Sequence, residues 1–489
     1  MITNFIDPLP SPDSGNIFHK GKQSGIIMPE KDFSLSAHIF TRDLRLDDNP
    51  ALLSALAGSE SVITCFAVEK SLVSGNPVIC EGRLAFISES LGDLSSRIKK
   101  KGGKLSFFGK GAANLAEKLC KNGVEAVYMT RDYTPYAVRR EKLIEKICRD
   151  AGCSYFRIPG SLLNEPEVVR KGDGGSYKVF TPFYRNASLI PVPEPETCTF
   201  SNFSAGKFPG EIAAAHLFGK TATETIKAGR VKGGRSEGLK LAGEMGRLED
   251  YENEREFPAK NGTSMLSAHL RFGTVSVREV YHKIRETLGP EHGLIRQLYW
   301  RDFFTHIAYL HPYVFRGPFQ RRYGKLPWSG NKEFFERWCE GMTGFPFIDA
   351  GMREMNETGY MHNRVRMAAA SFLVKDLHID WMRGERYFAS KLTDYDPSVN
   401  NGNWQWAAST GCDAQPYFRI FNPWLQQKKF DPDCVYIKRW ISELSEMEPG
   451  EIHSLYKGKS NPPKGYPEPL VDHKTEAQAA KKIYSETVA

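Results

Sequence analysis

The stretch 105-LSFFGKGAANLAEKLCKNGVEAVYM-129 decides the first half of the fold. Leu105–Phe108 and residues 124–129 are short apolar runs with aromatic and β-branched side chains, which read as strands. Between them, residues 114–122 set Leu115 and Leu119 four apart, the spacing of one helix face. Strand, amphipathic helix and strand in that order imply a right-handed crossover within a parallel sheet. The alternation continues outward on both sides. Residues 37–40, 62–68 and 155–158 read as further strands, and 82–99 as a helix. The expectation is an α/β domain over residues 37–165, a Rossmann-like open parallel sheet. Such sheets take ligands beyond the C-terminal ends of their strands. The turn after the first strand reads Thr41-Arg42-Asp43-Leu44-Arg45, so the glycine-rich dinucleotide fingerprint is missing. GDGGS at 172–176 follows no strand and reads as a surface turn.

The rest of the chain has a different character. Residues 1–36 form a polar segment containing Pro, Gly and Ser, with no apolar signal core and no arginine before Arg42, and are expected to be a flexible arm. Residues 166–247 are rich in Pro, Gly, Ser and Lys and read as a connector with a short helix or two. All eight tryptophans lie between Trp300 and Trp440, within a region of helical periodicity, so residues 248–489 read as one large all-α domain. The 489 residues are 40% apolar and 25% charged, enough to bury more than one core. No apolar run approaches 18 residues, so no spanning helix and no membrane partner are expected. The formal charge of +8 permits a polyanionic partner. Nine cysteines without a C-x-x-C pair suggest a reduced compartment, cytoplasmic or nuclear. Cys148 and Cys153 are the closest pair, with no second cluster in sequence to complete a zinc site, so no metal is expected.

Within the helical domain the polar residues cluster oddly for a core. Trp404 and Trp406 stand two apart and cannot share a helix face. Around them are Asn400, Asn401, Asn403 and Gln405, with Asp394 and Asp396 upstream and Arg364 and Arg366 one helix earlier. Buried charges must be paired. Amides, carboxylates and guanidiniums beside aromatic walls describe a pocket for a large, flat, phosphate-bearing ligand. A second group, from Trp300 and Arg301 to Arg321, Arg322 and Tyr323, mixes aromatic and basic residues and suits nucleic acid or a solvated loop equally.

Five long motifs then appear in order: TRDLRLDDNPAL (41–52), GTSMLSAHLRFGTVS (262–276), QLYWRDFF (297–304), TGYMHNRVRMAAASFLVKDLHIDW (358–381) and DYDPSVNNGNWQWAASTGCDAQPYFRIFNP (394–423). On these the chain resembles the photolyase/cryptochrome flavoproteins over about nine-tenths of its length, and most closely the class I cyclobutane pyrimidine dimer photolyases. The resemblance implies an antenna domain, a connector and a helical domain holding FAD, active as FADH⁻. It implies flavin contacts from Tyr251 and the run Thr263, Ser264, Met265, Leu266 and Ser267, and from the segment Asp394, Tyr395 and Asp396. Arg366 and Asp394 match a buried pair beside the isoalloxazine, and Asn400 the asparagine facing flavin N5. Trp404, Trp381 and Trp328 match a three-tryptophan electron chain. On the substrate side, Trp300 and Trp406 match the pair flanking a flipped-out dimer. Asn363, Arg364 and Met367 line the same site, and Arg255, Arg301 and Gln426 match DNA-backbone or dimer contacts.

What the resemblance implies is light-driven repair of UV-damaged DNA by a monomer with no obligate protein partner. An all-carbon cyclobutane ring is not opened by acid–base groups, whereas a one-electron reduction opens it. The lesion must first leave the duplex stack. Rivals within the family are a (6-4) photolyase, a DASH-type cryptochrome and a non-enzymatic signalling cryptochrome. The first expects histidines at Asn363 and Met367; the second usually has tyrosine at Trp406; the third usually has a long C-terminal tail. Gln297 departs from the pattern, since dimer photolyases usually carry glutamate there and (6-4) photolyases glutamine. In the antenna domain, Asp132-Tyr133-Thr134-Pro135-Tyr136-Ala137 looks like the deazaflavin-binding branch, with Ala137 where folate binders place a glutamate. The antenna expected is 8-hydroxy-5-deazaflavin, ahead of FMN, methenyltetrahydrofolate or none. A prokaryotic chain would lie in the cytoplasm at the nucleoid, a eukaryotic one in the nucleus.

Overall fold

In the computed structural model, residues 31–69, 78–217, 231–455 and 461–488 are described. Five strands form one parallel sheet in the order β3-β2-β1-β4-β5: β1 Phe33–Phe40, β2 Ser59–Ala67, β3 Leu105–Phe108, β4 Ala126–Thr130 and β5 Ser154–Ile158. The α/β expectation holds. Helices α1 (Pro50–Gly58), α2 (Glu81–Lys100), α3 (Gly111–Lys121) and α4 (Pro135–Asp150) cover its faces through two apolar clusters. β1 begins at Phe33, four residues inside the stretch read as a flexible arm. Residues 1–30 lie outside the described residues.

The sheet order reverses at β1, so the crevice between the C-terminal ends of β1 and β4 is where such a sheet ordinarily takes a ligand. Here the TRDLRLDDNPAL motif fills it with buried charge. Arg42 donates to Asp132 (2.9 Å) and to Asp396 of the helical domain. Asp43 accepts from Thr130 (2.6 Å) and Asn49 (3.1 Å). Burial pushes its carboxyl up, but bonds from His38, Thr130 and the Thr41 backbone outweigh that and hold it at about 2. Arg45 donates to the carbonyls of Asp48 (2.6 Å) and Gly273 (3.0 Å), and Asp48 pairs with Arg278 (2.7 Å). Gly273 has φ 65, and a Cβ there would stand 2.1 Å from the Arg42 carbonyl oxygen, so both its conformation and its neighbour require glycine. The motif is a clamp between the two domains.

Among the described residues of the connector are two α-helices, α5 (Phe180–Ala187) and α6 (Arg235–Gly243). The helical domain follows, with α7 (Ser267–Phe272), α8 (Val277–Leu288), α9 (Gly293–Leu310), α10 (Pro346–Thr358), α11 (Asn363–Lys375), α12 (Trp381–Lys391), α13 (Pro397–Ala407) and α14 (Pro423–Phe430) among its elements. Its core gathers Trp338, Phe372, Leu373, Trp381, Phe388 and Trp404. Asp396 caps α13 by accepting from the Ser398 and Val399 N–H groups, and Pro397 takes the first helical position, where its missing donor costs nothing. Among the described residues no helix is long and apolar enough to cross a membrane.

Candidate functional site

A cavity of about 330 Å³ opens in the helical domain, in the size range of small-molecule sites. Three of the helices that line it supply residues at helical spacing. α13 supplies Asn400, Asn403, Trp404 and Ala407, α11 supplies Asn363, Arg366 and Met367, and α9 supplies Leu294, Gln297, Leu298 and Arg301. The fourth wall is Tyr251 and the run Thr263–Ser264–Met265–Leu266–Ser267. Met265 has φ 55, left-handed for a residue with a side chain, and Leu266 returns to right-handed φ −88. Such a pair turns successive backbone N–H groups to one side, a concavity that suits an anion. The Ser and Thr hydroxyls stand beside it.

Arg366 and Asp394 form a two-bond pair at the cavity (3.2 and 3.0 Å), and the Arg366 Nε is fixed on the Met361 carbonyl (2.7 Å). Burial alone would lower the Arg366 pKa; the Asp394 carboxylate more than reverses that and raises it. Asp396 lies 3.8 Å from Arg271 as well as against Arg42. Burial pushes its carboxyl up, but Arg42, Arg271 and Arg301 together hold it well below the carboxylate range. Asn400 donates to the Glu385 carbonyl (3.3 Å), which fixes the plane of its amide against the cavity. Trp404 is 2% exposed and lies over Gly384 of α12, where a Cβ would stand 2.2 Å from its ring. Trp381 is equally buried, and Trp328 is half-buried against the same cluster. All three indoles lie in or against this one apolar cluster, and Trp404 also lines the cavity.

Hydroxyls and an anion concavity, a fixed guanidinium–carboxylate pair, an amide, and apolar side chains such as Leu270, Val280 and Ile284 in one lining fit a dinucleotide with a flat ring system, as FAD is. Of the residues expected at the flavin, Tyr251, Thr263, Ser264, Met265, Leu266, Ser267, Arg366, Asp394, Tyr395, Asp396 and Asn400 all line this one cavity.

The substrate-side residues divide. Gln297, Asn363 and Met367 line the cavity. Arg364 lies outside the lining, paired with Glu256 and over the Phe430 ring (4.4 Å). Arg255 is close to the same Glu256 (3.5 Å), so the two guanidiniums share one carboxylate. Arg301, expected at the DNA backbone or the dimer, is bonded to the protein's own groups. It lines the cavity, donates to the Ser161 carbonyl (2.6 Å) across the domain junction and stands 3.6 Å from buried Asp302. Trp300 and Trp406 lie outside the cavity lining. One face of Trp300 is taken by Phe180 of the connector, stacked at 3.7 Å and 8°. Trp406, two residues from Trp404, turns toward Phe421 (6.4 Å). Gln426 is on α14, away from the lining, with its Oε1 buried.

Sequence reasoning missed Arg271 and Tyr360 in the wall and Trp338, whose ring lies 6.1 Å from Trp404. The RF pair at 271–272 sits inside a quoted motif, so Arg271 had a signal. Tyr360 likewise sits inside a quoted motif, whereas Trp338 lies outside all of them and only the packing identifies it.

Two family models match the chain, DNA photolyase over residues 36–197 and the FAD binding domain of DNA photolyase over residues 294–486. A Synechococcus deoxyribodipyrimidine photo-lyase is 33% identical over 474 residues, covering 92% of this chain and 96% of that one. A Sulfolobus tokodaii photolyase whose crystal structure holds two FAD molecules is 40% identical, with a TM-score of 0.84 over 92% of this chain and 100% of that one. A Synechocystis cryptochrome superposes with a TM-score of 0.84 at 27% identity, over 93% of this chain and 100% of that one.

Proposed function

The chain belongs to the DNA photolyase family, and we propose that it splits cyclobutane pyrimidine dimers in duplex DNA under light. One observation carries this reading. The residues suited to FAD and the substrate-side residues Gln297, Asn363 and Met367 line a single cavity, so a lesion entering it would meet the ring system directly. Bound there in its reduced form, FAD would supply a photo-excited one-electron donor. The protein's own part is to bind and orient. Arg366 and Asp394 present a fixed ion pair to the flat rings, and Asn400 an uncharged amide that tunes them without adding charge. Asn363 and Met367 leave the lesion side without the histidine acid expected for (6-4) repair. Arg255, over the ring of cavity-lining Tyr251, and Arg364, next in chain to cavity-lining Asn363, both pair with Glu256, and DNA phosphates would take its place as their partner. Trp404, Trp381 and Trp328 serve as the electron route that reduces an oxidised flavin.

For the antenna we keep 8-hydroxy-5-deazaflavin. A second FAD is the other reading, favoured by the two FAD molecules of the Sulfolobus tokodaii relative. Mass analysis of the chromophores released on denaturation separates them, because the deazaflavin lacks the adenine nucleotide.

The function is tested by incubating purified, reduced protein with duplex oligonucleotides carrying either a cyclobutane dimer or a (6-4) lesion, in light and in darkness. Light-dependent loss of the dimer is expected. Repair of the (6-4) lesion alone would move the chain to that branch, and binding without repair of either would favour the cryptochrome reading that the Synechocystis likeness supports.

A further inference from the structure

We propose that Cys120, Cys148 and Cys153 form a three-coordinate thiolate site for a soft d¹⁰ cation, Cu(I), in the α/β domain. The three sulfurs lie within 4.8 Å of one another, and Cys120 and Cys148 are 3.9 Å apart. Sulfurs bound at about 2.3 Å to one ion stand roughly 3.8–4.0 Å from each other, so closing the set takes less than about 1 Å of side-chain movement.

Two helix ends build this arrangement. α4 finishes in a left-handed turn at Gly152 (φ 70), where the Gly152 N–H bonds the Arg149 carbonyl (3.1 Å) and the Cys153 N–H bonds that of Cys148 (2.9 Å). That double closure stacks residue 153 back over residue 148. α3 ends in the same way at Gly123 (φ 84), with bonds from Gly123 to Cys120 (3.3 Å) and from Val124 to Leu119 (3.2 Å). The two helices pack side by side, which brings Cys120 to the other pair. The sequence offers Cys148 and Cys153 alone; the third sulfur comes from the fold.

The chemistry selects the ion. Leu119, Val124 and Ile144 belong to the same apolar cluster, and no further Cys, His, Asp or Glu among the described residues joins the three sulfurs. Thiolates prefer Cu(I) or Zn(II), but zinc takes four ligands and would need water in this apolar place, whereas three sulfurs satisfy Cu(I). Cys120 is half-buried and provides access, while Cys148 and Cys153 are buried. Binding forms three Cu–S bonds, releases the three thiol protons to solvent and leaves copper as Cu(I), so no electron is transferred.

The test uses the full-length protein, reduced and kept free of oxygen, titrated against the coloured Cu(I)–bicinchoninate complex. One copper per chain should pass to the wild type and to Cys412→Ser, and none to Cys148→Ser or Cys153→Ser. No transfer to the wild type, or undiminished transfer to those two variants, would overturn the site. X-ray absorption on the copper-loaded wild type does not depend on any variant folding. Three sulfur neighbours at about 2.3 Å are expected; two sulfurs, or a nitrogen or oxygen in the shell, would contradict the assignment.

Discussion

The helical cavity and the crevice of the parallel sheet both sit where their folds ordinarily take ligands, yet they are built in opposite ways. The cavity keeps polar groups turned toward open space, and each is anchored from behind: Arg366 on a backbone carbonyl, Asn400 on Glu385, Trp404 on Gly384. The crevice spends its polar groups on one another, and Arg42, Asp43, Arg45, Asp48 and Asn49 are all bonded within the protein. Charged residues in a sheet's switch point therefore hold the domains together here, and of the two places it is the cavity that turns polar groups to open space. Changes in the cavity should alter photochemistry with small effects on stability. Changes in the crevice should do the reverse.

Trp404→Phe should give the largest functional effect. Light-driven reduction of oxidised flavin, followed by absorbance, should be lost, while repair by chemically reduced protein survives. Unchanged photoreduction would mean that electrons enter by another path, for which the neighbouring Trp338 is the first place to look. Arg42→Ala is the counterpart in the crevice. It removes the cation bonded to both Asp132 and Asp396, leaving Arg271 as a guanidinium near Asp396, and should cost about 3–5 kcal/mol in urea unfolding. A cost near zero would remove the clamp from the account. Gly273→Ala forces a side chain into a left-handed position and against the Arg42 carbonyl, so roughly 1–3 kcal/mol should be lost. A neutral effect would show that the junction can open.

Two smaller effects sharpen the cavity side. Affinity for damaged duplex should fall with salt, and Arg364→Ala should reduce the slope of log K against log salt by about 0.9, the contribution of one phosphate. An unaltered slope would take Arg364 off the DNA face. Gln297→Glu should raise the quantum yield of dimer repair modestly, because an acid can give a stronger hydrogen bond to developing negative charge than a neutral amide does. A lower yield would show that the amide is the better donor in this cavity.

The cavity was legible because its residues fall in long motifs at helical spacing. The sheet was legible because its strands are apolar runs. Its first strand was clipped because Ser34 and Ser36 look like loop residues, although the Ser36 hydroxyl is buried and accepts a bond from Ser59 (2.7 Å). α4 went unread because most of its surface is charged and its buried face includes Glu141, whose carboxyl burial and Asp132 push up to about 7. The clamp could not be read at all. A run of Arg and Asp looks like a solvated turn until Thr130, Arg278 and Asp396, up to 354 residues away, supply its partners. The position of Trp300 depended in the same way on Phe180, which comes from the connector.

The most direct test of the division between cavity and crevice is a count of FAD released on denaturation from wild-type protein and from Ser264→Trp, which places an indole in the cavity wall while leaving the clamp untouched. The account predicts FAD from the wild type, and none bound in the cavity of a variant that still folds and keeps the urea midpoint of FAD-stripped wild-type protein. Wild-type protein that yields no FAD, or FMN alone, or a variant whose FAD content is undiminished, would contradict it.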